Sequence, residues 1–383
     1  MSLIALRIPH LMLNLNGEAG CNWQKATTSP GSIEDDSQTT SSLGIGLMPK
    51  VFLHLGSKFQ WLVYVPLRLK HYQNKEEPMG SYHRLMFAAE PYSNITYKPG
   101  DRLTFDLTAV CEEDLPDALS LMVNKRYVNY RSTVANPSRV ELWRDRSLRS
   151  ALTASYKDAV SMFFGNVSLS YAYTRNGSSL DYEFAEDNVV NYVVSPHATS
   201  SHVLQATQGM SKGFFRWNSK VSESFTIGTT RTEHYLSNAL HKGRNDYLQA
   251  NLSYTAQPTK WLSLSTINDV SLTKAYSDGK ANGVKYFIFA NKSAMTFWLT
   301  KNLCVEPSVQ YNRNDYFDEG RNTAFLNCRA EYYIKSVTLF VNCNNLLDSD
   351  SFRRITDNGV VRYVSEYDLR GRTFLFGIRI KLT

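Results

Sequence analysis

Long stretches in which apolar and polar residues alternate are the feature that most limits how this chain can fold. Between Leu326 and Cys343, one phase is apolar and the other is mostly polar, on both sides of a tight turn at Lys335 and Ser336. Side chains of a β-strand point alternately to two faces, so this turn places Cys328 opposite Cys343. Both arms of the predicted hairpin therefore present their apolar side chains on one face.

The same alternation recurs along the chain, for example in residues 61–69, 103–109, 248–255 and 374–382. These stretches are nearer the ~10 residues with which a tilted strand crosses a bilayer than the ~5 to 6 typical of soluble sheets. Short turns are predicted at residues 56–58, 98–101, 217–220, 256–259, 300–302 and 335–336. Longer polar loops are predicted at residues 16–42, 176–200, 275–283, 314–322 and 348–366.

Short and long connections take turns, as periplasmic turns and extracellular loops do in outer-membrane proteins. The sequence therefore predicts an all-β fold, an antiparallel transmembrane β-barrel with roughly sixteen strands visible, as part of a larger barrel. The mean hydropathy is −0.34, and no stretch approaches the ~18 apolar residues of a spanning helix. Strands that close on themselves are the other way to satisfy the backbone inside lipid. We assign residues 1–383 to one barrel domain located in the cell outer membrane.

The net charge of +7 raises the question of a nucleic-acid partner, but lysine and arginine form no long block. We expect no nucleic-acid binding. Because the cations lie mostly on the polar phase of the strands, we expect them to line a wet interior or to meet lipopolysaccharide. The expected partners are therefore outer-membrane lipid and lipopolysaccharide.

No catalytic, cofactor-binding or metal-binding residue is predicted, and no cofactor is expected. The eight histidines form no H-E-x-x-H pair, and neither a G-x-S-x-G elbow nor a phosphate-binding loop is present. The five cysteines have no C-x-x-C spacing. The chain is therefore not expected to be an enzyme, although a sequence alone does not exclude a serine–histidine cluster assembled at a barrel rim.

Two local features allow a more specific hypothesis. A cross-strand disulfide between Cys328 and Cys343 would fit the hairpin, but we favour two small lipid-facing hydrophobes because both lie on the apolar phase. The acidic runs Glu112-Glu113-Asp114 and Asp348-Ser349-Asp350 carry oxygen ligands suited to calcium, yet neither completes an EF-hand loop. Solvated loop carboxylates are the interpretation we favour for both runs.

The last forty residues carry a more specific signal. The run Phe340-Val-Asn-Cys-Asn-Asn-Leu-Leu-Asp348, a loop, and then Tyr367-Asp-Leu-Arg-Gly-Arg-Thr-Phe-Leu-Phe-Gly377 resembles the closing strands of TonB-dependent receptors. The segment from Ala154 to Gly165 is similar to receptors of the Bacteroidetes type. The resemblance implies a barrel, a plug domain, coupling to the TonB complex and uptake of a nutrient that the sequence does not identify.

The chain departs from that family's pattern in three respects. It ends on Leu382-Thr383 rather than on an aromatic residue, it shows no plug domain or TonB box, and no export signal precedes the first strand. We therefore expect a C-terminal part of a receptor, with Met1 inside a longer reading frame and TonB contacted only through the missing plug. A passive porin-like or structural barrel is the alternative, and a soluble adhesin-like β-protein is a third hypothesis.

Overall fold

The computed structural model describes residues 2–27, 37–77, 80–114, 126–129, 132–135, 144–184, 190–278, 283–316, 322–357 and 362–381. These residues form strands and one short 3-10 helix, η1, at Arg216–Asn218. No helix among them is long and apolar enough to cross a membrane.

The strands, in chain order, have the following bounds: β1 Ser2–Ile8, β2 Leu11–Thr27, β3 Ser37–Leu55, β4 Phe59–Tyr64, β5 Leu67–Glu77, β6 Gly80–Ala89, β7 Tyr92–Tyr97, β8 Leu103–Asp114, β9 Arg126–Asn129, β10 Ser132–Ala135, β11 Asp145–Asp158, β12 Phe163–Asn176, β13 Ser179–Phe184, β14 Val190–Ser195, β15 Thr199–Phe214, β16 Ser219–Leu236, β17 Ala239–Thr259, β18 Leu262–Ser277, β19 Val284–Trp298, β20 Leu303–Asn314, β21 Asn322–Ile334, β22 Val337–Asn344, β23 Ser351–Asp357, β24 Arg362–Asp368 and β25 Thr373–Ile380.

The chain divides into two compact units. The first contains Met1–Ala154, Leu169–Leu204 and Thr230–Gly243. The second contains Ser155–Ser168, Gln205–Thr229 and Arg244–Thr383.

In the first unit, neighbouring strands from β1 to β8 pair antiparallel. β1 pairs with β2, β2 with β3, and β3 with both β4 and β5. On their far sides, β5 pairs with β6, β4 with β7, and β7 with β8. β13 and β14 form an antiparallel hairpin, and two short pairs, β10–β14 and β13–β16, are parallel.

Prolines interrupt two long strands of this unit. β4 and β5 are two parts of one ladder on β3, separated at Val65 and Pro66, and β6 and β7 are separated at Glu90 and Pro91. Proline has no N–H to donate to the ladder, and the regular pairing is interrupted at Pro66 and Pro91. The register continues across the break, and the Val65 amide donates to the Pro49 carbonyl at 3.1 Å.

In the second unit, β18 to β22 form an antiparallel meander, and β22 pairs with β25. β21 and β22 turn at Lys335 and Ser336 and place Cys328 opposite Cys343, which confirms the register predicted from the sequence. β23 and β24 form a separate hairpin. Lys335 has a φ of 51°, which lets the strands reverse within two residues.

The apolar face of these strands is open to the surroundings. On β25, the exposed fractions of Phe374, Phe376, Ile378 and Ile380 are 58%, 72%, 67% and 61%. Among the described residues, the buried apolar side chains are few: Tyr72, Met86, Val194, Ala256, Ala275 and Cys304. A soluble protein rarely exposes so large an apolar face, whereas lipid-facing strands do so as a rule.

The described part of the chain has 25 strands, more than the roughly sixteen predicted. The two proline interruptions and the three short pairs β9–β10, β13–β14 and β23–β24 account for most of the difference. Two of these short pairs, β13–β14 and β23–β24, lie in stretches predicted to be loops, as do the outer parts of β2 and β3. Backbone pairing requires no apolar residue, so a polar hairpin escapes a search for alternation.

The predicted short turns at residues 56–58, 98–101, 300–302 and 335–336 all lie between strands, as expected. The turn predicted at residues 256–259 is instead the end of β17, and the chain reverses at Lys260 and Trp261. Pro258 favours a turn there, but the strand continues through it.

Candidate functional site

A cleft of about 330 Å³ lies on the first unit, over β2, β3 and β5. It is lined by Glu18, Ala19, Gly20, Cys21, Asn22, Ser42, Gly44, Ile45, Arg68 and Lys70. Its charged and glycine residues share the polar phase of their strands, while Leu43, Ile45 and Leu47 on the opposite phase of β3 are 61%, 60% and 46% exposed. The charges of the cleft therefore lie on the face opposite the apolar one.

Glycines form the floor of this cleft. The register places Gly20 opposite Gly44, and Glu18 opposite Gly46. A Cβ at Gly46 would lie 2.9 Å from Glu18 Cγ, which is closer than real Cβ contacts come, and 3.1 Å from the Leu67 carbonyl oxygen, which is tighter than most of them. Only a residue without a side chain lets the Glu18 side chain lie across β3 toward Arg68.

An arginine between two carboxylates crosses the cleft. Arg68 Nε donates to Glu18 Oε1 at 2.5 Å, and its Nη1 donates to Glu90 Oε2 at 2.6 Å. The Glu90 side chain is only 16% exposed, so its ion pair is better shielded from water than that of Glu18, which is 46% exposed. Charge-assisted bonds to two acceptors hold the guanidinium in one orientation.

Lys70 is the neighbouring cation on the same face of β5. It lies opposite Gly44, and among the described residues it takes part in no salt bridge. Arg68 and Lys70 together balance the two carboxylates, and Lys70 is the cation of the cleft that remains outside these ion pairs. With the amide of Asn22 and the hydroxyl of Ser42 also lining it, the cleft suits a polar group.

The acidic run on β8 is used for ion pairs with arginines at the start of β11. Glu113 binds Arg146 at 2.7 Å and Arg144 at 3.6 Å, and Glu112 binds Arg149 at 3.1 Å. The interpretation of these carboxylates as solvated loop groups is therefore wrong, because they are cross-strand partners of arginines. Across the described ranges, no group of three or more histidine, cysteine, aspartate or glutamate residues is arranged to hold a metal ion.

The cysteines and histidines singled out from the sequence are dispersed. Cys328 and Cys343 face each other as free thiols. His71 stacks on His83 with ring centroids 5.8 Å apart, and His202 bonds to the Tyr171 hydroxyl at 3.0 Å. These contacts do not bring a nucleophile, a base and a carboxylate together.

The closing segment has a structural role centred on Asn345, which is 7% exposed. Its Nδ2 donates to the carbonyl oxygens of Ser349 at 2.8 Å and Arg370 at 2.9 Å, and its Oδ1 accepts from the Ser349 amide at 2.9 Å. Its own amide donates to Asn327 Oδ1 at 2.8 Å. One residue thus joins β21 and the end of β22 to the segment that leads into β25.

The second acidic run belongs to the same turn. Asp348 Oδ1 accepts from the Arg372 amide at 3.1 Å, and the Asp350 carbonyl accepts from the Leu369 amide at 2.8 Å. Asn345 and Asp348 both have positive φ values, 54° and 59°, a region that asparagine and aspartate adopt more readily than other side chains. The run that resembles the receptor family is therefore a hydrogen-bonded turn.

The sequence interpretation missed the cleft residues. It assigned residues 16–42 to a loop, which removed Glu18 from consideration, and no motif joins Glu18 to Arg68, fifty positions away. The available signal was the phase of β3, where Ser42, Gly44 and Gly46 oppose Leu43, Ile45 and Leu47.

No protein-family model matches the chain. A search of the curated proteins also finds no match. Among solved structures, the ferric yersiniabactin uptake receptor FyuA of Yersinia pestis is similar with a TM-score of 0.54 and 14% sequence identity, over 99% of this chain and 60% of that one. The chain has the fold of an outer-membrane β-barrel. At this identity the likeness establishes the fold alone.

Two further structures have lower scores. The siderophore receptor PiuA of Acinetobacter baumannii has a TM-score of 0.33 at 10% identity, over 96% of this chain and 77% of that chain. OmpT, an outer membrane protein of Vibrio cholerae, has a TM-score of 0.32 at 7% identity, over 98% of each chain. TM-scores this low do not establish a shared fold.

The match to FyuA, together with the exposed apolar strands, confirms the predicted fold class and outer-membrane location. The chain spans 60% of the length of the yersiniabactin receptor.

Proposed function

We propose that this chain is the barrel of an outer-membrane receptor that takes up a nutrient with energy supplied through TonB. The observation that carries the proposal is the fold likeness to a ferric uptake receptor over 99% of the chain. The closing run from Phe340 to Gly377 supports the TonB-dependent part, because it resembles that family's closing strands. The similarity of residues 154–165 to Bacteroidetes-type receptors is the reason to look for the protein in that group.

In this proposal the apolar face meets lipid and the outer rim meets lipopolysaccharide. The polar face lines the uptake pathway, and the cleft at Lys70 is a capture point on it. A ligand with an acidic group would gain a charge-assisted bond from Lys70 without breaking the pairs of Arg68. By analogy with the yersiniabactin receptor, an acidic ferric chelate is the first ligand class to test.

The test is a binding titration on the refolded full chain in detergent, with ferric yersiniabactin and ferric citrate as probes and intrinsic fluorescence as the readout. Loss of one charge-assisted bond predicts that Lys70→Ala weakens binding by about tenfold or more. Lys292→Ala is the matched control, because Lys292 is also a strand lysine but lies in the second unit. Equal affinities for the two variants would contradict the role of Lys70, and no binding of either chelate would contradict this ligand class.

A passive channel is the alternative function, and conductance measurements distinguish it from a gated receptor. A receptor barrel whose pathway is gated is expected to give no stable open pores in planar bilayers when the gating domain is present. Steady, ohmic pores that persist in the protein as it occurs in the outer membrane would favour the passive porin-like interpretation instead.

A further inference from the structure

Two neighbouring side chains of β13 are buried although they are polar. Ser179 is 7% exposed and Asp181 only 3%, while Leu180 between them is 45% exposed. Alternate residues of a strand share a face, so the hydroxyl and the carboxylate point the same way, into the protein. Aspartate is rarely this deeply buried unless a partner offsets its charge.

The hydrogen bonds of these two side chains are incomplete. Asp181 Oδ2 accepts from the Asn238 amide at 2.6 Å. Asp181 Oδ1 and Ser179 Oγ are both buried and have no hydrogen-bond partner, and within the described part of the chain Asp181 belongs to no salt bridge. Among the described residues, the carboxylate therefore has one amide as its only partner.

Leaving the Asp181 Oδ1 atom and the Ser179 hydroxyl unsatisfied is costly in a buried place. A bound cation satisfies the carboxylate and the hydroxyl together.

The groups around Asp181 select the kind of cation. Ser195 lies directly opposite Ser179 on β14 and is also buried, at 6% exposure. Across from Asp181, β14 contributes Val193 and β16 contributes Tyr235. Carboxylate, hydroxyl and backbone oxygens are hard donors, which calcium accepts in irregular arrangements and at variable number, whereas magnesium demands a stricter octahedron.

We propose that Asp181 and Ser179 form a calcium site, with Ser195 beside them, that joins the β13–β14 hairpin to the turn after β16. Asn238 lies in that turn, and its amide already binds the other oxygen of the carboxylate. Calcium would thus hold the two segments together. The site is independent of the proposed uptake function.

The experiment uses the full chain, refolded in a zwitterionic detergent free of lipopolysaccharide, which itself binds calcium. Thermal unfolding is followed in EDTA and in millimolar calcium for the wild type, Asp181→Asn and Asp269→Asn. Asp269 is the matched control, an exposed strand carboxylate that accepts from Asn251 Nδ2 at 2.6 Å. Asparagine keeps the acceptor for Asn238 and removes only the charge.

Calcium is expected to raise the Tm of the wild type and of Asp269→Asn but not that of Asp181→Asn. In EDTA, Asp181→Asn is expected to unfold at a higher temperature than the wild type, because it lacks the buried charge. An equal calcium response in the wild type and Asp181→Asn, or none in the wild type, overturns the proposal.

A second measurement does not depend on whether the Asp181→Asn variant folds. Terbium bound near Tyr235 should luminesce when tyrosine is excited, and calcium should displace it at concentrations at least about tenfold below those of magnesium. Ser179→Ala should weaken this binding while leaving the fold intact. Wild-type protein without calcium-displaceable luminescence overturns the site.

Discussion

Replacing Asn345 by alanine tests whether the closing turn is held by one side chain. The substitution removes three side-chain hydrogen bonds of 2.8 to 2.9 Å from a residue that is 7% exposed. At a net contribution of about 0.5 to 1.5 kcal/mol each, their loss costs about 2 to 4 kcal/mol. Alanine at a φ of 54° adds about 1 kcal/mol of backbone strain.

Two companion variants separate these contributions. Asn345→Gly removes the same hydrogen bonds without the strain, so it should be less destabilising than Asn345→Ala by about 1 kcal/mol. Asn344→Ala is the matched control, since Asn344 is exposed and makes a single long bond of 3.5 Å to Thr373 Oγ1. That change should stay within about 0.5 kcal/mol of the wild type.

Urea unfolding of the refolded protein in detergent, followed by tryptophan fluorescence and by the heat-dependent shift in gel mobility, measures these differences. The expected order of midpoints is wild type and Asn344→Ala together, then Asn345→Gly, then Asn345→Ala. If Asn344→Ala and Asn345→Ala unfold at the same urea concentration, the closing turn is not held by the Asn345 side chain.

Three further substitutions test the faces and the cleft. Gly46→Ala should destabilise by about 1 to 2 kcal/mol through its contact with the facing glutamate and carbonyl, whereas Gly20→Ala, with no atom within 4 Å, should be neutral in the same urea assay. Phe376→Arg places a cation on the lipid face and should lower the free energy of unfolding by about 2 to 4 kcal/mol. Leu375→Arg, on the opposite face, should refold into lipid vesicles like the wild type. Equal refolding yields for the two variants would refute the assignment of faces. Arg68→Met should lower the urea midpoint at neutral pH because it leaves a shielded carboxylate unpaired, and an unchanged midpoint would show that this pair contributes nothing.

The hairpin at Lys335 could be predicted from the sequence, whereas the cleft could not. In the hairpin, the partner residues are a few positions apart, and a tight turn sets their register. In the cleft, Arg68 and Glu18 meet only because β2, β3 and β5 pair in one particular register. No local pattern encodes that register, since much of β2 and the start of β3 are polar on both faces.

The burial of polar groups could not be predicted from the sequence for a similar reason. Asp181 lies in a stretch predicted to be an exposed loop, where an aspartate is ordinary. Its burial results from the β13–β14 hairpin and the turn at Asn238 closing over it.

The sequence by itself determined the long alternating strands, their two faces and the apolar face that meets lipid, because a period of two is a local property that survives in any arrangement of strands. It also predicted the closing turn through its Asn-Leu run. Tertiary structure alone decided which charges meet: the Glu18–Arg68–Glu90 pairs and the buried Asp181 depend on register between segments far apart in the chain. The free energy of such contacts comes from the geometry of pairing, which residue order along one strand does not specify.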